Sequence, residues 1–295
     1  MQPTSSATHV KGAQIPPPNS TNETTVVLAK GHYVKIQLIG CGSYGKVYLA
    51  KNETESTNKD NFVALKIAQR YGEIEINVLS KLNPHRNIVN LLDFSISDHK
   101  VCLALELGDC SLDKLVGLWG KEKIKLSIGQ LDFLLTELLE AYKYIESKGL
   151  LNNTDLSEGN VLYFKSENRL KLTDFGINWD GSTTQSKIGN LVYYVLTRLS
   201  HNCDALPYEE KAAFCNVKCF KRIFFEPDFS YLDWKKDLDK KHIELIINLS
   251  KGVFSIPDIT TLLNNLSEKL ELLPVPENLI SGENIKAHID QRDME

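Results

Sequence analysis

The sequence contains no apolar run long enough to cross a membrane, and its first residues are polar instead of signal-like. It also has no large excess of charge: the net charge of −4 gives no basis for attraction to nucleic acid or to an anionic membrane. The cysteines show no disulfide pattern, since the six of them are scattered as in a chain with reduced thiols. These absences favour a cytoplasmic protein that does not bind membranes or nucleic acid, with the nucleus as an alternative location.

The two ends of the chain differ from its middle in composition. Of the 295 residues, 42% are apolar and 24% are charged, which is typical of a globular protein with a sizeable core. Residues 1–29 mix proline, serine, threonine and asparagine with little periodicity, so we expect a disordered tail there. Residues 273–295 are polar, and we expect them to form a mobile C-terminal tail.

The middle of the chain carries three oxygen-rich side chains in a short stretch, namely Asp155, Asn160 and Asp174. Two apolar segments lie between the last two, Val161–Phe164 and Leu170–Leu172, and they predict a hairpin of small strands. The spacing places Asp155 and Asn160 on a loop before the hairpin and Asp174 just after it. Carboxylate and amide oxygens at one point suit the binding of a hard cation and the acceptance of a proton, which phosphoryl transfer requires.

These residues form the patterns D-L-x-x-x-N and D-F-G, which resemble the catalytic loop and the metal-binding loop of protein kinases. Either pattern alone occurs often by chance, so the upstream sequence decides. There, G-C-G-S-Y-G-K-V resembles the kinase glycine-rich loop, with Gly40, Gly42 and Gly45 in register. A Rossmann fingerprint has the same glycines but needs a helix next, whereas a second strand is predicted here, which favours the kinase pattern.

A lysine strand and a glutamate helix follow in the order found in kinases. Phe62–Lys66 resembles the V-A-I-K strand, and a lysine that ends an apolar strand can place its charge on the α- and β-phosphates of ATP. Without the glycine loop, the same lysine would be interpreted as an ordinary residue at a strand edge. The apolar spacing over Glu73–Leu82 predicts a helix. The family pattern selects Glu75 as the partner that orients Lys66, with Glu73 as the alternative.

The resemblance implies an α+β, bilobal protein-kinase-like fold. The β-rich small lobe would span residues 30–108, and the helical large lobe would span residues 109–272 with a truncated activation segment. Residues 200–240 interleave aromatic and basic side chains and match no known pattern. We expect this segment to pack on the large lobe, and a surface for a protein partner or nucleic acid is the alternative.

The resemblance also implies ATP and Mg²⁺ in a cleft between the lobes, with a protein as substrate or partner. Asp155 would act as the base and Lys66 would hold phosphates, while Asn160 and Asp174 would hold the metal. The remaining nucleotide contacts would be backbone groups of the glycine loop and the interlobe hinge, together with apolar side chains and the glutamate that orients Lys66. These residues are Gly40, Gly42, Ser43, Gly45, Val47, Ala64, Glu75, Leu105, Glu106, Gly108 and Leu162. Among them, Leu105 would be the gatekeeper, and the Glu106 carbonyl and Gly108 amide would face the adenine.

Four departures from the kinase pattern lie near the base. Asn153 and Thr154 stand where kinases have His-Arg, and Ser157 stands where they have a lysine. Only a short stretch separates Gly176 from Thr184, where the next long helix is expected, and no A-P-E motif is present. These losses agree with one another, because a short activation segment leaves the missing arginine nothing to bind.

The short segment and the sequence CLALELGDCSLDKLV look most similar to the kinase-homology domains of the stress-sensing kinase–ribonuclease and of the 2-5A-dependent ribonuclease. This chain ends soon after Leu273, so ribonuclease activity is not expected to carry over. Two functions follow from these patterns. The first is phosphotransfer of the Ser/Thr type from ATP to protein hydroxyls at a low rate. The alternative is an impaired, ATP-binding pseudokinase that acts as a scaffold or a dimerisation switch.

Overall fold

The computed structural model describes residues 25–42, 45–54, 61–68, 71–97, 100–176, 184–199, 240–266 and 270–279. The predictions made for Ser43 and for residues 200–239 lie outside these ranges. The described residues form an antiparallel sheet with one helix, followed by a helical region that carries a second, small sheet.

The small lobe is built on a six-stranded antiparallel sheet with the spatial order β1-β2-β3-β4-β6-β5. Its strands are β1 (Thr25–Val27), β2 (His32–Gly42), β3 (Gly45–Asn52), β4 (Phe62–Ala68), β5 (Leu91–Ser97) and β6 (Lys100–Leu105). Helix α1 (Gly72–Leu82) connects β4 to β5 and packs on β5 and β6 through Ile76, Leu79 and Leu82, which are buried. This packing fixes one face of α1 against the sheet.

In the described residues, five α-helices, two short 3-10 helices (Leu151–Asn153 and Glu158–Asn160) and a small sheet form the large lobe. The helices are α2 (Leu112–Lys121), α3 (Ile128–Ser147), α4 (Thr184–Leu199), α5 (Lys240–Lys251) and α6 (Ile256–Leu266), and the strands are β7 (Cys110–Ser111), β8 (Val161–Phe164) and β9 (Arg169–Leu172). A capping box of Ser127 and Gln130 starts α3. Trp119, Tyr163 and Phe175 are among the largest fully buried side chains, so the residue that follows Asp174 is anchored in the core. Within the described ranges, we find no helix that is both long and apolar enough for a membrane span.

A buried carboxylate joins helix α3 to strand β9. Glu137 accepts hydrogen bonds from the Asn87 Nδ2 (2.8 Å) and from the Leu170 backbone N–H (3.1 Å). The Glu137 Oε1 also lies 3.2 Å from the Arg169 guanidinium and 3.7 Å from the Arg86 guanidinium. Burial raises the pKa of Glu137, but these donors and cations oppose the rise. The network fixes β9, the strand that leads directly to Asp174.

Both predicted tails need correction where the structure describes them. Residues 25–29 are not disordered, because Thr25–Val27 pair with β2 and Leu28 is buried. Residues 273–279 are not a mobile tail, because the Trp119 indole donates to the Pro274 carbonyl at 2.9 Å and the Asn168 amide bonds the Leu273 backbone. Residues 25–29 are held by pairing with the neighbouring β2 and by the Ala29 N–H, which donates to the Phe94 carbonyl at 3.3 Å, whereas residues 273–279 are held by elements far away in sequence. Local composition reveals neither set of contacts.

Candidate active site

The cleft between the lobes contains one ammonium group shared by two carboxylates. Lys66 lies on β4, paired with Val47 of β3 on one side and with Leu103 of β6 on the other. Its Nζ lies 2.6 Å from the Glu75 Oε2 and 2.5 Å from the Asp174 Oδ1. Lys66 and Glu75 are buried, whereas Asp174 is partly exposed. The structure therefore brings together a strand, a helix and the loop after β9 at one charged centre.

The charges of this centre do not balance. Burial by itself lowers the pKa of Lys66, but attraction to Glu75 and Asp174 outweighs it, so the pKa of Lys66 lies above its ordinary value. Burial raises the pKa of Glu75 to about 6, because the attraction of Lys66 offsets only part of the lost hydration and Asp174 adds repulsion. The Glu75 Oε1 also has no hydrogen-bond partner among the described residues. One cation thus serves two anions, and Glu75 is the less well compensated of the two.

The two glutamates left open by the sequence occupy different faces of α1. Glu75 is buried beside Lys66, whereas Glu73 is exposed to solvent. Glu75 shares a helical stripe with Leu79 and Leu82, which are spaced four and seven residues after it and are buried. That stripe is a signal from which the sequence could have favoured Glu75, because it places Glu75 on the face that meets the protein interior.

Hydrogen bonds to backbone carbonyls hold the predicted catalytic loop in shape. The Asn160 Nδ2 donates to the Asp155 carbonyl at 2.7 Å, and the Thr173 N–H donates to the Asn160 carbonyl at 3.0 Å. The second bond ties this loop to the residue before Asp174. Asp174 has φ of 62°, a left-handed conformation that aspartate tolerates better than most residues. Asp155 and Asp174 therefore lie on two segments of backbone that are joined through hydrogen bonds of Asn160.

The donor set fits Mg²⁺ as a partial coordination shell. The side-chain oxygens of Asn160 and Asp174 are hard ligands, and the Asn160 Nδ2 is already engaged with the Asp155 carbonyl. In the part of the chain that the structure describes, no group of three or more His, Cys, Asp or Glu side chains could hold a metal ion. Mg²⁺ is commonly bound by one or two protein ligands together with substrate phosphates, so a two-residue set suits a metal that arrives with a nucleotide.

The apolar residues predicted around the adenine lie in one cluster at the cleft. Ala64 and Leu105 are register partners on β4 and β6, and both belong to the main core. Val47 and Leu162 pack against the same core from the two lobes. A Cβ at Gly108 would lie 3.0 Å from the Leu162 Cβ, so the hinge backbone approaches the floor of the cleft closely. These four side chains, contributed by both lobes, form one apolar group that we call the apolar slot.

The predicted glycine loop lies where two antiparallel strands meet, with Gly40 and Gly42 on β2 and Gly45 on β3. Gly40 pairs with Val47, and Gly42 pairs with Gly45. A Cβ at Gly45 would collide with the Ile67 carbonyl, so this position requires glycine for close packing of β3 on β4. The turn leads into a strand and not a helix, which excludes the dinucleotide-binding alternative.

The side chain of Glu106 binds polar groups outside the apolar slot. Its carboxylate accepts hydrogen bonds from the Asn90 N–H at 2.8 Å and from the Lys171 Nζ at 3.0 Å. Lys171 is buried and also lies over the Phe164 ring, 4.3 Å from its centroid. Within the described ranges, we find no hydrogen bond that uses the Glu106 carbonyl or the Gly108 N–H. The Glu106 side chain thus fixes the hinge through Asn90 and Lys171. The two backbone groups predicted to face adenine remain available to bind a ligand.

No motif in the sequence indicated a role for Lys187. This residue lies in the first turn of α4, which begins at Thr184, and its Nζ lies 3.6 Å from the Asp155 Oδ1. A single lysine on a helix forms no motif, and its nearness to Asp155 depends on how α4 folds back on the catalytic loop. Sequence spacing alone therefore carried no signal for this contact.

Comparison with known proteins agrees with the geometry of the cleft. The family described as "Protein kinase domain" matches residues 33–199, more than half of the chain. The CTD kinase subunit alpha of Schizosaccharomyces pombe is 31% identical over 203 residues, which cover 66% of this chain and 32% of the relative. The same subunit of Saccharomyces cerevisiae is 31% identical over 155 residues, which cover 49% of this chain and 28% of the relative. The cell division control protein 2 homolog 1 of Trypanosoma brucei brucei is 32% identical over 154 residues, which cover 49% of this chain and 48% of the relative.

This chain therefore belongs to the protein kinase domain family. The predicted α+β, bilobal kinase fold is confirmed, and a protein kinase is the class that the fold and its relatives support. The chain spans less than half of the length of each of these three relatives.

Proposed function

We propose that this chain binds ATP with Mg²⁺ and transfers the γ-phosphoryl group to serine or threonine hydroxyls of proteins. The observation that carries this proposal is the Lys66 ammonium, which lies within 2.6 Å of both Glu75 and Asp174. A cation in that place can hold phosphates beside a carboxylate that can bind a metal. Relatives described as serine/threonine-protein kinases support the same reaction.

In the proposed reaction, Asp155 orients the acceptor hydroxyl and takes its proton. The hydroxyl oxygen forms a bond to the γ-phosphorus, the bond from that phosphorus to the bridging oxygen breaks, and the electron pair leaves with ADP. Lys66, oriented by Glu75, holds the α- and β-phosphates of the departing ADP. Asn160 and Asp174 would hold Mg²⁺, which neutralises phosphate charge when bound. The apolar slot between Val47, Ala64 and Leu162 would enclose the adenine.

A single-turnover assay with labelled ATP tests this proposal. We expect the wild type to transfer label to itself or to a generic protein substrate, and Asp155→Asn to transfer about 10²- to 10³-fold more slowly because it cannot accept the proton. ATP with Mg²⁺ should raise the melting temperature of both proteins, since a ligand of the folded state stabilises it. Equal transfer by the wild type and Asp155→Asn would contradict the proposed chemistry.

The second candidate function is an ATP-binding scaffold whose nucleotide-bound state presents a surface to a protein partner or to a second copy of the chain. The buried Thr154 hydroxyl favours it, because this group stands where kinases place an arginine and has no hydrogen-bond partner among the described residues. Ser157 likewise lacks the cation expected there. Stabilisation by ATP and Mg²⁺ without any transfer would support the scaffold, and no stabilisation would contradict both functions.

Finer features of this proposal come from the sequence. The segment CLALELGDCSLDKLV and the short stretch between Gly176 and Thr184 support a relationship to the kinase-homology domains of the stress-sensing kinase–ribonuclease and the 2-5A-dependent ribonuclease. A cytoplasmic or nuclear location is proposed from the cysteine usage. Light scattering with and without ATP would test the proposed homodimer.

A further inference from the structure

A lysine of the large lobe, with a side chain that is mostly covered by protein, lies beside the proposed base. The Lys187 Nζ is 3.6 Å from the Asp155 Oδ1, and 9% of the Lys187 side chain is exposed compared with 44% for Asp155. Burial of a strongly hydrated ammonium costs free energy unless an anion compensates it. The Asp155 carboxylate therefore compensates an ammonium that is largely removed from water, while Asp155 itself remains accessible to an acceptor.

The catalytic loop does not supply a cation of its own at the expected place. Ser157, two residues after Asp155, is a neutral side chain where the kinase pattern has a lysine. Among the described residues, Lys187 is the ion-pair partner of Asp155. It comes from helix α4, which is distant in sequence and packs on α2, α3 and α5. The same charge thus reaches Asp155 from a different element.

We propose that Lys187 supplies from helix α4 the cation that the catalytic loop lacks at Ser157. This inference rests on the proposed phosphotransfer. When the acceptor oxygen bonds to the γ-phosphorus and its proton passes to Asp155, negative charge redistributes over the phosphoryl oxygens and onto the leaving ADP. A cation beside Asp155 lies next to the acceptor and offsets the charge on the phosphoryl oxygens.

The length of the contact agrees with this role. At 3.6 Å, the separation of the Lys187 Nζ and the Asp155 Oδ1 exceeds that of a charge-assisted hydrogen bond. The ammonium therefore stands beside the carboxylate without a direct hydrogen bond to it. Its flexible four-carbon stem lets it move to a phosphoryl oxygen when ATP is bound.

Relocation of the lysine tests the inference. We expect K187M to lower kcat about 10- to 100-fold and to raise the KM for ATP by a smaller factor, because the lost charge acts weakly on bound ATP and more strongly on the transition state. The double variant K187M/S157K should recover most of the lost kcat. The Ser157 backbone is extended, with φ of −139° and ψ of 164°, so a lysine can occupy the position without strain.

Two further variants separate chemistry from folding. K240M removes an exposed lysine at the start of α5 and should transfer at the wild-type rate. K187R keeps the charge and should retain more activity than K187M. A wild-type rate in K187M would overturn the inference. A loss that neither S157K nor K187R restores would also overturn it, since Lys187 would then serve only to hold the structure.

A binding measurement separates this inference from the proposed function. If the wild type transfers phosphate and K187M does so equally well, the inference fails and the function stands. If the wild type binds ATP without transfer, we expect ATP to raise its melting temperature more than ADP does. That margin should shrink in K187M and return with S157K, so that the site assignment stands while the transferase proposal fails. No transfer and no ATP-over-ADP margin in the wild type would overturn both.

Discussion

The two halves of the cleft differ in how tightly their charges are held. On the phosphate side, the Lys66 Nζ lies within hydrogen-bond distance of both the Glu75 and the Asp174 carboxylates, and Lys66 and Glu75 are buried. On the acceptor side, Asp155 is partly exposed and its cation, Lys187, stands at 3.6 Å. The phosphate side keeps every residue of the kinase pattern, whereas the acceptor side replaces several. A kinase cleft can thus retain its nucleotide machinery in full while the half that meets the acceptor is rebuilt from other residues.

The largest effect should come from removing the shared cation. Lys66→Met leaves Glu75 and Asp174 without their common partner, so we expect kcat/KM for phosphotransfer to fall about 10³-fold. Steady-state kinetics with ATP would measure this loss. Lys51→Met, an exposed lysine on β3, is the control and should behave as wild type. If Lys66→Met kept its rate, the contrast between the two halves would disappear.

Glu137 tests whether the phosphate side depends on its scaffold. Glu137→Ala removes a buried acceptor and leaves the Asn87 amide and the Leu170 N–H without it, so we expect unfolding to become easier by about 3 kcal/mol. Urea unfolding would measure the change in free energy. Glu73→Ala, an exposed carboxylate on α1, should change stability by less than about 0.5 kcal/mol. Similar values for the two variants would show that the network around Glu137 contributes little.

The pH dependence of activity should report on Glu75. Its pKa is raised to about 6, so protonation below that value removes the attraction that orients Lys66, and the rate should fall as pH drops through about 6. For stability the sign is reversed: the folded state holds the Glu75 proton more tightly than the unfolded chain. This contribution is therefore fully present below the ordinary value of 4.5 and is lost as pH rises through about 6.

Glu75→Gln removes this titration, so its rate should be low and flat over the same pH range. Glu73→Gln is the matched control and should keep the wild-type profile, because Glu73 is exposed and distant from the ion pair. A pH–rate curve measured between pH 5 and 8 would compare the three proteins. An unchanged acid limb in Glu75→Gln would assign that limb to another group.

The smallest effect is expected at Thr154, on the acceptor side. Its hydroxyl is buried and has no hydrogen-bond partner among the described residues, and valine has nearly the same shape. Thr154→Val should therefore raise the free energy of unfolding by about 1 kcal/mol, since it removes an uncompensated polar group. Thermal unfolding would detect the gain. A destabilised variant would indicate that the hydroxyl is hydrated and useful.

Most of the fold could be predicted because short stretches of sequence are enough to identify its elements. The glycine turn, the Lys66 strand and the α1 helix each follow from period and turn chemistry over a few residues. Even the choice of Glu75 over Glu73 is contained in the stripe it shares with Leu79 and Leu82. The contact between Lys66 and Asp174 agrees with the cleft that the motif order implied.

What could not be predicted depends on contacts between distant segments. Strand β1 has only three residues, and the chain just after it is tied to β5 by the Ala29 N–H, which donates to the Phe94 carbonyl at 3.3 Å. The segment from Leu273 to Leu279 is ordered because Trp119 and Asn168 bind its backbone. Lys187 meets Asp155 only after α4 has packed against the rest of the large lobe. Periodicity and composition contain no information about such pairings.

The ion pair between Lys66 and Asp174 also crosses from one lobe to the other, because Lys66 belongs to the sheet and Asp174 follows β9. Separation of the lobes must break this pair and hydrate both ends. An incoming triphosphate offers the ammonium a new anion, and an accompanying divalent ion offers the carboxylate a new partner. Cleft opening and nucleotide entry are thus one exchange of counter-ions, and because the Lys66 end of the pair is buried, dissolved salt should replace these counter-ions poorly.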